Sequence, residues 1–243
     1  MSLFESQIAQ LRQSLSGRAP DVCLETASEN ARRWPRSAAK QMILEQDTGT
    51  ELGNGSLPSF AAILWTETPG LVTDGAVRVY GQDIPQIAGS DGAKSRPFGK
   101  AVLLETDTIP ANELFAAFEK MDAVRFDMNL DGYMLRGFTQ RNREWSRVSA
   151  GACRSGFSFL TLGSELIRDY KALPFVKGAE LLFFTENALI RTLAPLMETC
   201  AKIAGALNTM FENISMDCKN CDAHAICEDF DELRRLHRRL APE

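Results

Sequence analysis

The chain has 243 residues, of which 44% are hydrophobic and 24% charged, and it carries a formal net charge of −5. These proportions are typical of a globular protein with one principal core and exclude a largely disordered chain. The negative charge excludes general binding to a nucleic-acid backbone, which requires a large basic excess.

Neither a secretory signal nor a membrane span is predicted. The opening MSLFESQIAQLRQSL lacks the basic start, long apolar run and small-residue cleavage site of a signal peptide, and nowhere do eighteen apolar residues follow one another. We therefore expect a cytoplasmic protein without membrane or nucleic-acid partners. In that reducing compartment, clustered cysteines are more often metal ligands or redox groups than disulfides.

The first 45 residues are predicted to form a helical N-terminal arm, whose first helix can end at Gly17. After Pro20 and Pro35 the pattern changes to short strands bounded by Gly, Pro and Asp. The apolar positions that indicate the helix recur at the spacing of one helix face: Leu3, Phe4, Ile8, Leu11 and Leu15.

Three apolar runs are predicted to be strands of one sheet: SFAAILWT (59–66), AVRVY (76–80) and KAVLLE (100–105). The segment GSDGAKSRPFG between the second and third runs is rich in Gly, Ser and charge, which is typical of an exposed loop. These strands begin the α+β domain that we predict for residues 46–213.

The rest of that domain alternates helices and strands. IPANELFAAFEKM and DMNLDGYMLRGF are predicted to be helices, and REWSRVS is predicted to be a strand. A helix over FSFLTLGSELIRDYKAL, a buried strand over AELLFFT (179–185) and a long helix over 186–212 follow. The fold class is therefore α+β, with a mixed sheet packed against helices. Residues 214–243 form a Cys-rich tail that ends in a helix over 228–240.

The tail sequence MDCKNCDAHAIC indicates a metal site. Cys218 and Cys221 form a C-x2-C pair, and Cys227 follows after a gap of five residues that contains His224. Three thiolates suit three irons of a [4Fe–4S] cluster. Zinc is the alternative, with His224 as fourth ligand. Ordinary thiols before a helix are the third interpretation.

The other cysteines are scattered. Cys200 lies within the long predicted helix and is expected to pack as a small buried hydrophobic residue. Cys23 and Cys153 are distant candidates for a fourth ligand of the cluster.

Several stretches resemble one family in the same order. TELGNGSLPSFAAILWT, AVRVYGQDIPQI and RPFGKAVLLE resemble the start of the acetyl-CoA synthase subunit, the β subunit of the archaeal form, of the carbon monoxide dehydrogenase/acetyl-CoA synthase complex. QRNREWSRVS and ALPFVKGAELLFFTE resemble later stretches of the same family. The resemblance covers roughly residues 45–227 and implies the fold of that family's middle domain.

The resemblance also implies an interpretation of the tail. In that family a C-x2-C opens the domain that holds a [4Fe–4S] cubane bridged to two nickel ions, so Cys218, Cys221 and Cys227 would be cubane ligands, with Cys221 in the bridging position. This chain has a shorter gap before its third cysteine, no fourth cysteine beyond it and no Cys-Gly-Cys. It resembles a shortened relative that lacks most of the A-cluster domain and has no complete nickel site.

A cationic patch surrounds Trp145 in the part that resembles the middle domain. Arg141, Arg143, Arg147 and Arg154 lie near this residue in sequence, and guanidinium groups can bind phosphate and stack on an indole. The resemblance makes coenzyme A the candidate ligand. The alternative is that the arginines are surface residues and Trp145 packs in the core.

Three carboxylates beside turns, Asp47, Glu51 and Asp83, are expected to shape loops and receive no chemical role.

The resemblance implies an iron–sulfur-binding accessory protein of anaerobic one-carbon or corrinoid metabolism, with a larger metalloenzyme or corrinoid protein complex as partner. It is not expected to make acetyl-CoA alone. If it is an enzyme, the open iron of a three-cysteine cluster is the expected reactive centre. The alternative is a non-catalytic, zinc-stabilised binding module of a larger complex.

Overall fold

A computed structural model of the chain describes residues 3–25, 33–54, 56–89, 95–139 and 143–212. Within these ranges the protein has the predicted α+β class, with nine β-strands and six α-helices. The strands are β1 (Val22–Leu24), β2 (Thr48–Leu52), β3 (Ser59–Thr66), β4 (Val77–Tyr80), β5 (Ser95–Arg96), β6 (Phe98–Thr106), β7 (Tyr133–Thr139), β8 (Arg143–Ser149) and β9 (Val176–Phe184). The helices are α1 (Glu5–Ser14), α2 (Ile84–Gly89), α3 (Leu114–Asp127), α4 (Ala150–Arg154), α5 (Phe159–Lys171) and α6 (Asn187–Glu212).

The larger sheet has five strands in the order β1-β4-β9-β6-β3 and mixes parallel with antiparallel pairs. The prediction that runs 59–66, 76–80 and 100–105 share one sheet is confirmed, because they form β3, β4 and β6. The predicted strand AELLFFT is confirmed as part of β9. Residues 179–184 of β9 are all buried, as expected of a strand covered on both faces.

The smaller sheet has four strands in the order β5-β2-β8-β7. REWSRVS is confirmed as β8, and the predicted loop GSDGAKSRPFG contributes β5 and the start of β6. The prediction of a helix over DMNLDGYMLRGF is wrong. Asp131 and Gly132 form a turn, with Gly132 at a φ of 73°, and the chain continues as β7. Glycine adopts this left-handed conformation without steric cost.

Helices cover both faces of the larger sheet. Arg12 of α1 binds the fully buried Glu180 of β9 in a bidentate ion pair, which fixes α1 on the face of Glu180. The paired residues of β4 and β9 place Val77 on the opposite face, where Gly163 of α5 approaches it so closely that an added Cβ would lie 2.6 Å from Val77 Cγ1. The predicted helices over FSFLTLGSELIRDYKAL and 186–212 are confirmed as α5 and α6.

The predicted N-terminal arm is helical over Glu5–Ser14, and the chain then forms β1. Residues 1–207 form one compact unit. No helix of the described part is both long and apolar enough to cross a lipid bilayer. The predicted tail 214–243, with its final helix, lies outside the described residues, so the predicted domain boundaries stay predictions.

A buried ion pair joins the two sheets. Lys100 on β6 is 3% exposed and Glu144 on β8 is 1% exposed, and Lys100 Nζ lies 2.5 Å from Glu144 Oε2. The Tyr133 hydroxyl donates to Glu144 Oε1 over 3.4 Å. Burial lowers the pKa of Lys100, and the facing carboxylate opposes that shift. Glu144 is therefore held on the interior side of β8.

Replacing Lys100 by Met leaves the Glu144 carboxylate buried without its cation. We expect the free energy of unfolding, measured by urea denaturation at neutral pH, to fall by about 3–5 kcal/mol. The double variant Lys100→Met/Glu144→Leu removes both charges and should recover most of this loss. A double variant no more stable than Lys100→Met would contradict the role given to the pair.

Candidate functional site

The outward side of β8 gathers cations around one aromatic ring. Since neighbouring residues of a strand point to opposite sides, the inward Glu144 places Arg143, Trp145 and Arg147 outward. Together with residues of the neighbouring strands they form a surface that we call the Trp145 face. Its members are Glu51, Ser95, Arg136, Arg143, Trp145 and Arg147.

Glu51 stands in the middle of a hydrogen-bonded row that crosses three strands. Ser95 lies beside it on β5 and Arg147 beside it on β8. Ser95 Oγ donates to Glu51 Oε2 at 2.8 Å, and Arg147 Nε donates to Oε1 at 2.7 Å. Burial by itself would raise the pKa of Glu51, but the hydrogen bonds from Arg147 and Ser95 lower it below its usual value. Glu51 is therefore an ionised anchor for Arg147 at neutral pH.

A β-bulge places Arg136 over Trp145. The antiparallel register of β7 and β8 shifts by one residue at Arg136, which makes it an extra residue on β7. Bulges of this kind change the direction of a side chain and strengthen the local twist. Arg136 Cζ lies 4.0 Å from the centroid of the indole ring, whereas Arg147 Cζ lies 6.0 Å away. Arg136 is thus the main cation–π partner of Trp145.

The indole N–H of Trp145 is buried and makes no close hydrogen bond to a described residue. It lies near enough to Glu51 to favour the ionised carboxylate. Trp145 is therefore half-buried in the sheet surface, with its ring covered by Arg136 and its polar edge directed away from bulk water.

The loop after β2 holds Arg143. Asn54 Oδ1 accepts two backbone N–H groups at 2.8 Å each and turns the chain. The carbonyl oxygen of Leu57 then accepts from Arg143 Nη2 at 2.5 Å. Of the other arginines predicted for this patch, Arg141 lies outside the described residues, and Arg154 is exposed at the end of α4.

The structure thus brings Trp145, Arg143 and Arg147 onto one surface, as the sequence pattern indicates. Arg136 is absent from the predicted site because the sequence pattern predicts a helix for its segment. The available signal was the Asp131-Gly132 turn, which favours a new element after it, followed by the β-forming residues of YMLRGFT. A bulge at Arg136 has no such signal.

The predicted metal ligands Cys218, Cys221, His224 and Cys227 lie outside the described residues. Within the described part of the chain, no three His, Cys, Asp or Glu side chains are arranged to hold a metal ion.

The cysteines that the structure does describe are reduced and separate. Cys200 packs in α6 as predicted, and burial raises the pKa of its thiol to about 12. Cys23 is exposed on β1 and Cys153 is half-buried in α4.

Asp83 and Asp47, which are expected to shape loops, accept backbone hydrogen bonds, Asp83 through its carboxylate and Asp47 through its backbone carbonyl oxygen. Asp83 Oδ1 accepts the backbone N–H groups of Ile84 and Phe159 at 2.7 Å each. Burial raises the pKa of Asp83, although these two hydrogen bonds oppose the shift. The Asp47 carbonyl oxygen accepts the backbone N–H of Ala150, which joins β2 to α4.

Replacing Glu51 by Gln tests the row across the sheet. We expect the free energy of unfolding at neutral pH to fall by about 1–2 kcal/mol, because Arg147 loses its charged partner. The pKa of Glu51 is lower in the folded state than in the unfolded state. The ionised carboxylate therefore contributes fully to the free energy of unfolding above the unfolded pKa of about 4.3, and this contribution is lost as pH falls through the folded pKa. The stability gap between wild type and Glu51→Gln should therefore narrow in urea denaturation between about pH 6 and about pH 3.

Glu198→Gln, on the exposed surface of α6, is the matched control and should change stability little at any of these pH values. A gap for Glu51→Gln that keeps its size across the range would contradict the assignment.

Comparisons with known proteins point to one family. The family model described as the CO dehydrogenase/acetyl-CoA synthase complex beta subunit matches residues 39–190, more than half of the chain and all of the Trp145 face. A curated relative, the carbon monoxide dehydrogenase/acetyl-CoA synthase subunit alpha of Moorella thermoacetica, is 31% identical over 154 residues. The match covers 62% of this chain and 20% of the relative, so the chain spans about a fifth of that protein's length.

Proposed function

Because the chain belongs to the family of the CO dehydrogenase/acetyl-CoA synthase complex beta subunit, we propose that it is an accessory protein of anaerobic one-carbon or corrinoid metabolism. It binds coenzyme A, or a closely related phosphate-bearing ligand, on the Trp145 face. It also carries an iron–sulfur cluster in its Cys-rich tail, and it works in the cytoplasm beside a larger metalloenzyme or corrinoid protein complex.

The observation that carries the proposal is the composition of the Trp145 face. Arg136 and Arg147 lie near one indole ring and both pair with Glu51. Arg143 lies two residues from Trp145 on the same side of β8 and donates to the carbonyl oxygen of Leu57. Coenzyme A contains an adenine ring and several phosphates. An aromatic ring beside guanidinium groups suits both, since bases stack on indoles and phosphates accept charge-assisted hydrogen bonds.

The surface is preorganised for such a ligand. Glu51 and the carbonyl oxygen of Ile43 hold the Arg147 guanidinium, and the carbonyl oxygen of Leu57 holds Arg143. Side chains fixed in this way lose little conformational entropy when a ligand binds. Residues 46–213 are, in this proposal, the counterpart of the family's middle domain.

The proposed cluster rests on the donor set of the tail. Cys218, Cys221 and Cys227 supply three thiolates, enough for three irons of a [4Fe–4S] cluster, whose fourth iron would take another ligand or stay open. When bound, such a cluster supplies electron transfer or a Lewis-acidic iron. The sequence has no Cys-Gly-Cys to hold a nickel pair, so synthesis of acetyl-CoA by this chain alone is not proposed.

A second candidate function follows from His224, which stands between the cysteines of the tail. With Cys218, Cys221 and Cys227 it completes a four-ligand set of the kind that holds structural zinc. The protein would then be a non-catalytic binding module of a larger complex.

Titration with coenzyme A tests the ligand proposal. We expect wild type to bind, and Trp145→Leu and Arg143→Gln each to weaken binding about tenfold, because each removes a stacking or phosphate contact of about 1–3 kcal/mol. Calorimetric titration measures the affinity. Arg191→Gln, on the exposed surface of α6, is the control and should bind as wild type does. A wild type without affinity for coenzyme A, or an unchanged Trp145→Leu variant, would contradict the proposal.

Elemental analysis of anaerobically purified protein tests the tail. We expect iron with sulfide and a broad absorbance near about 400 nm, both lost in Cys218→Ser and Cys221→Ser and kept in the control Cys23→Ser. One zinc per chain in a colourless preparation would favour the binding-module alternative. A folded protein without metal would refute both assignments.

A further inference from the structure

Arg136 covers the ring that the proposed ligand would need. Its guanidinium carbon lies 4.0 Å from the centroid of the Trp145 indole, which is the separation of a stacked pair. A planar ligand cannot stack on the same face of the ring while Arg136 stays there. Stacking of a ligand on this face of the indole therefore requires that Arg136 move.

Arg136 is the least tightly held of the three described guanidinium groups on this face. Arg147 donates to Glu51 at 2.7 Å and to a backbone carbonyl at 3.2 Å, and Arg143 donates to a backbone carbonyl at 2.5 Å. Arg136 approaches Glu51 at 3.7 Å, and 37% of its side chain is exposed. It can leave the ring without breaking a short hydrogen bond.

The bulge in β7 explains why the cover can move separately from the surface beneath it. Arg136 is the extra residue of the bulge, whereas Trp145 and Arg147 belong to β8, which is paired on both sides by β2 and β7. A rotation of the Arg136 side chain leaves the pairing of β8 unchanged.

We propose that Arg136 is a displaceable cover of Trp145, and that an adenine ring takes its place on the indole while the released guanidinium pairs with a phosphate of the same ligand. The inference rests on the proposed function and assigns the adenine end of the ligand to Trp145. It makes Arg136 a specificity-determining residue, because it favours ligands that carry both a base and a phosphate.

The relative free energies of the contacts that are lost and gained favour this exchange. A base stacked on an aromatic side chain contributes more than a partly exposed cation–π contact does. The displaced guanidinium then exchanges that contact for a charge-assisted pair with phosphate. A nucleoside without phosphate has to displace Arg136 without offering it a new partner, so the cover discriminates against it.

Two probes separate this role from a structural one. Adenosine carries the base alone, and adenosine 3′,5′-bisphosphate carries the base with phosphates. In Arg136→Gln we expect adenosine to bind about threefold more tightly than in wild type, and the affinity ratio of bisphosphate to adenosine to fall about tenfold. Arg136→Lys keeps the charge without the planar stack and should retain most of the ratio.

Calorimetric titration of the full chain gives both affinities, and circular dichroism checks that each variant is folded. The control Arg191→Gln should reproduce the wild-type ratio. If Arg136→Gln leaves the ratio unchanged, or weakens both probes equally, the inference is overturned while the proposed ligand site survives. If wild type binds neither coenzyme A nor the bisphosphate, the proposed function and the inference both fail.

Discussion

The buried ion pair between Lys100 and Glu144 determines what the smaller sheet presents to solvent. A strand alternates its side chains with a period of two, so a carboxylate fixed inward by a cation from the other sheet fixes the whole of β8. A slip of one residue would turn Arg143, Trp145 and Arg147 toward the interior and Glu144 away from Lys100. Because an unpaired buried charge costs several kcal/mol, about 3–5 by the usual measure, that slip is strongly disfavoured. The interior interaction thus specifies the exterior surface.

On that surface the residues differ in how firmly they are held. Arg147 belongs to the row through Glu51 and Ser95, which ties three strands together, and Arg143 is held by the loop after β2. Arg136 stands on a bulge and contacts mainly the indole ring. A rigid base with one movable cation combines preorganised recognition with a means of selecting the ligand. In the described part of the chain, the proposed function depends on this difference between the fixed arginines, Arg143 and Arg147, and the displaceable Arg136.

Most strands and helices of the larger sheet could be predicted from the sequence, because long apolar runs such as β9 and amphipathic helices such as α5 leave clear periodic patterns. The smaller sheet was harder. β7 reads as a helix by its apolar spacing, and its identity depends on the turn at Gly132 and on pairing with β8. Only one of the two cation–π partners of Trp145 could be predicted from the sequence. Arg147 lies two residues away on the same strand, whereas Arg136 is placed over the ring by a bulge in β7. The pairing of Lys100 with Glu144 joins residues of different sheets, which no local pattern indicates.

The central claim is that an inward Glu144 creates an outward, covered indole built to receive a nucleotide. A crystal structure of the protein with adenosine 3′,5′-bisphosphate tests it most directly. The account predicts that the adenine ring lies parallel to Trp145, with Arg136 moved from its 4.0 Å position to a phosphate and Lys100 still paired with Glu144. A nucleotide bound elsewhere, with Arg136 still stacked on the indole, would contradict it.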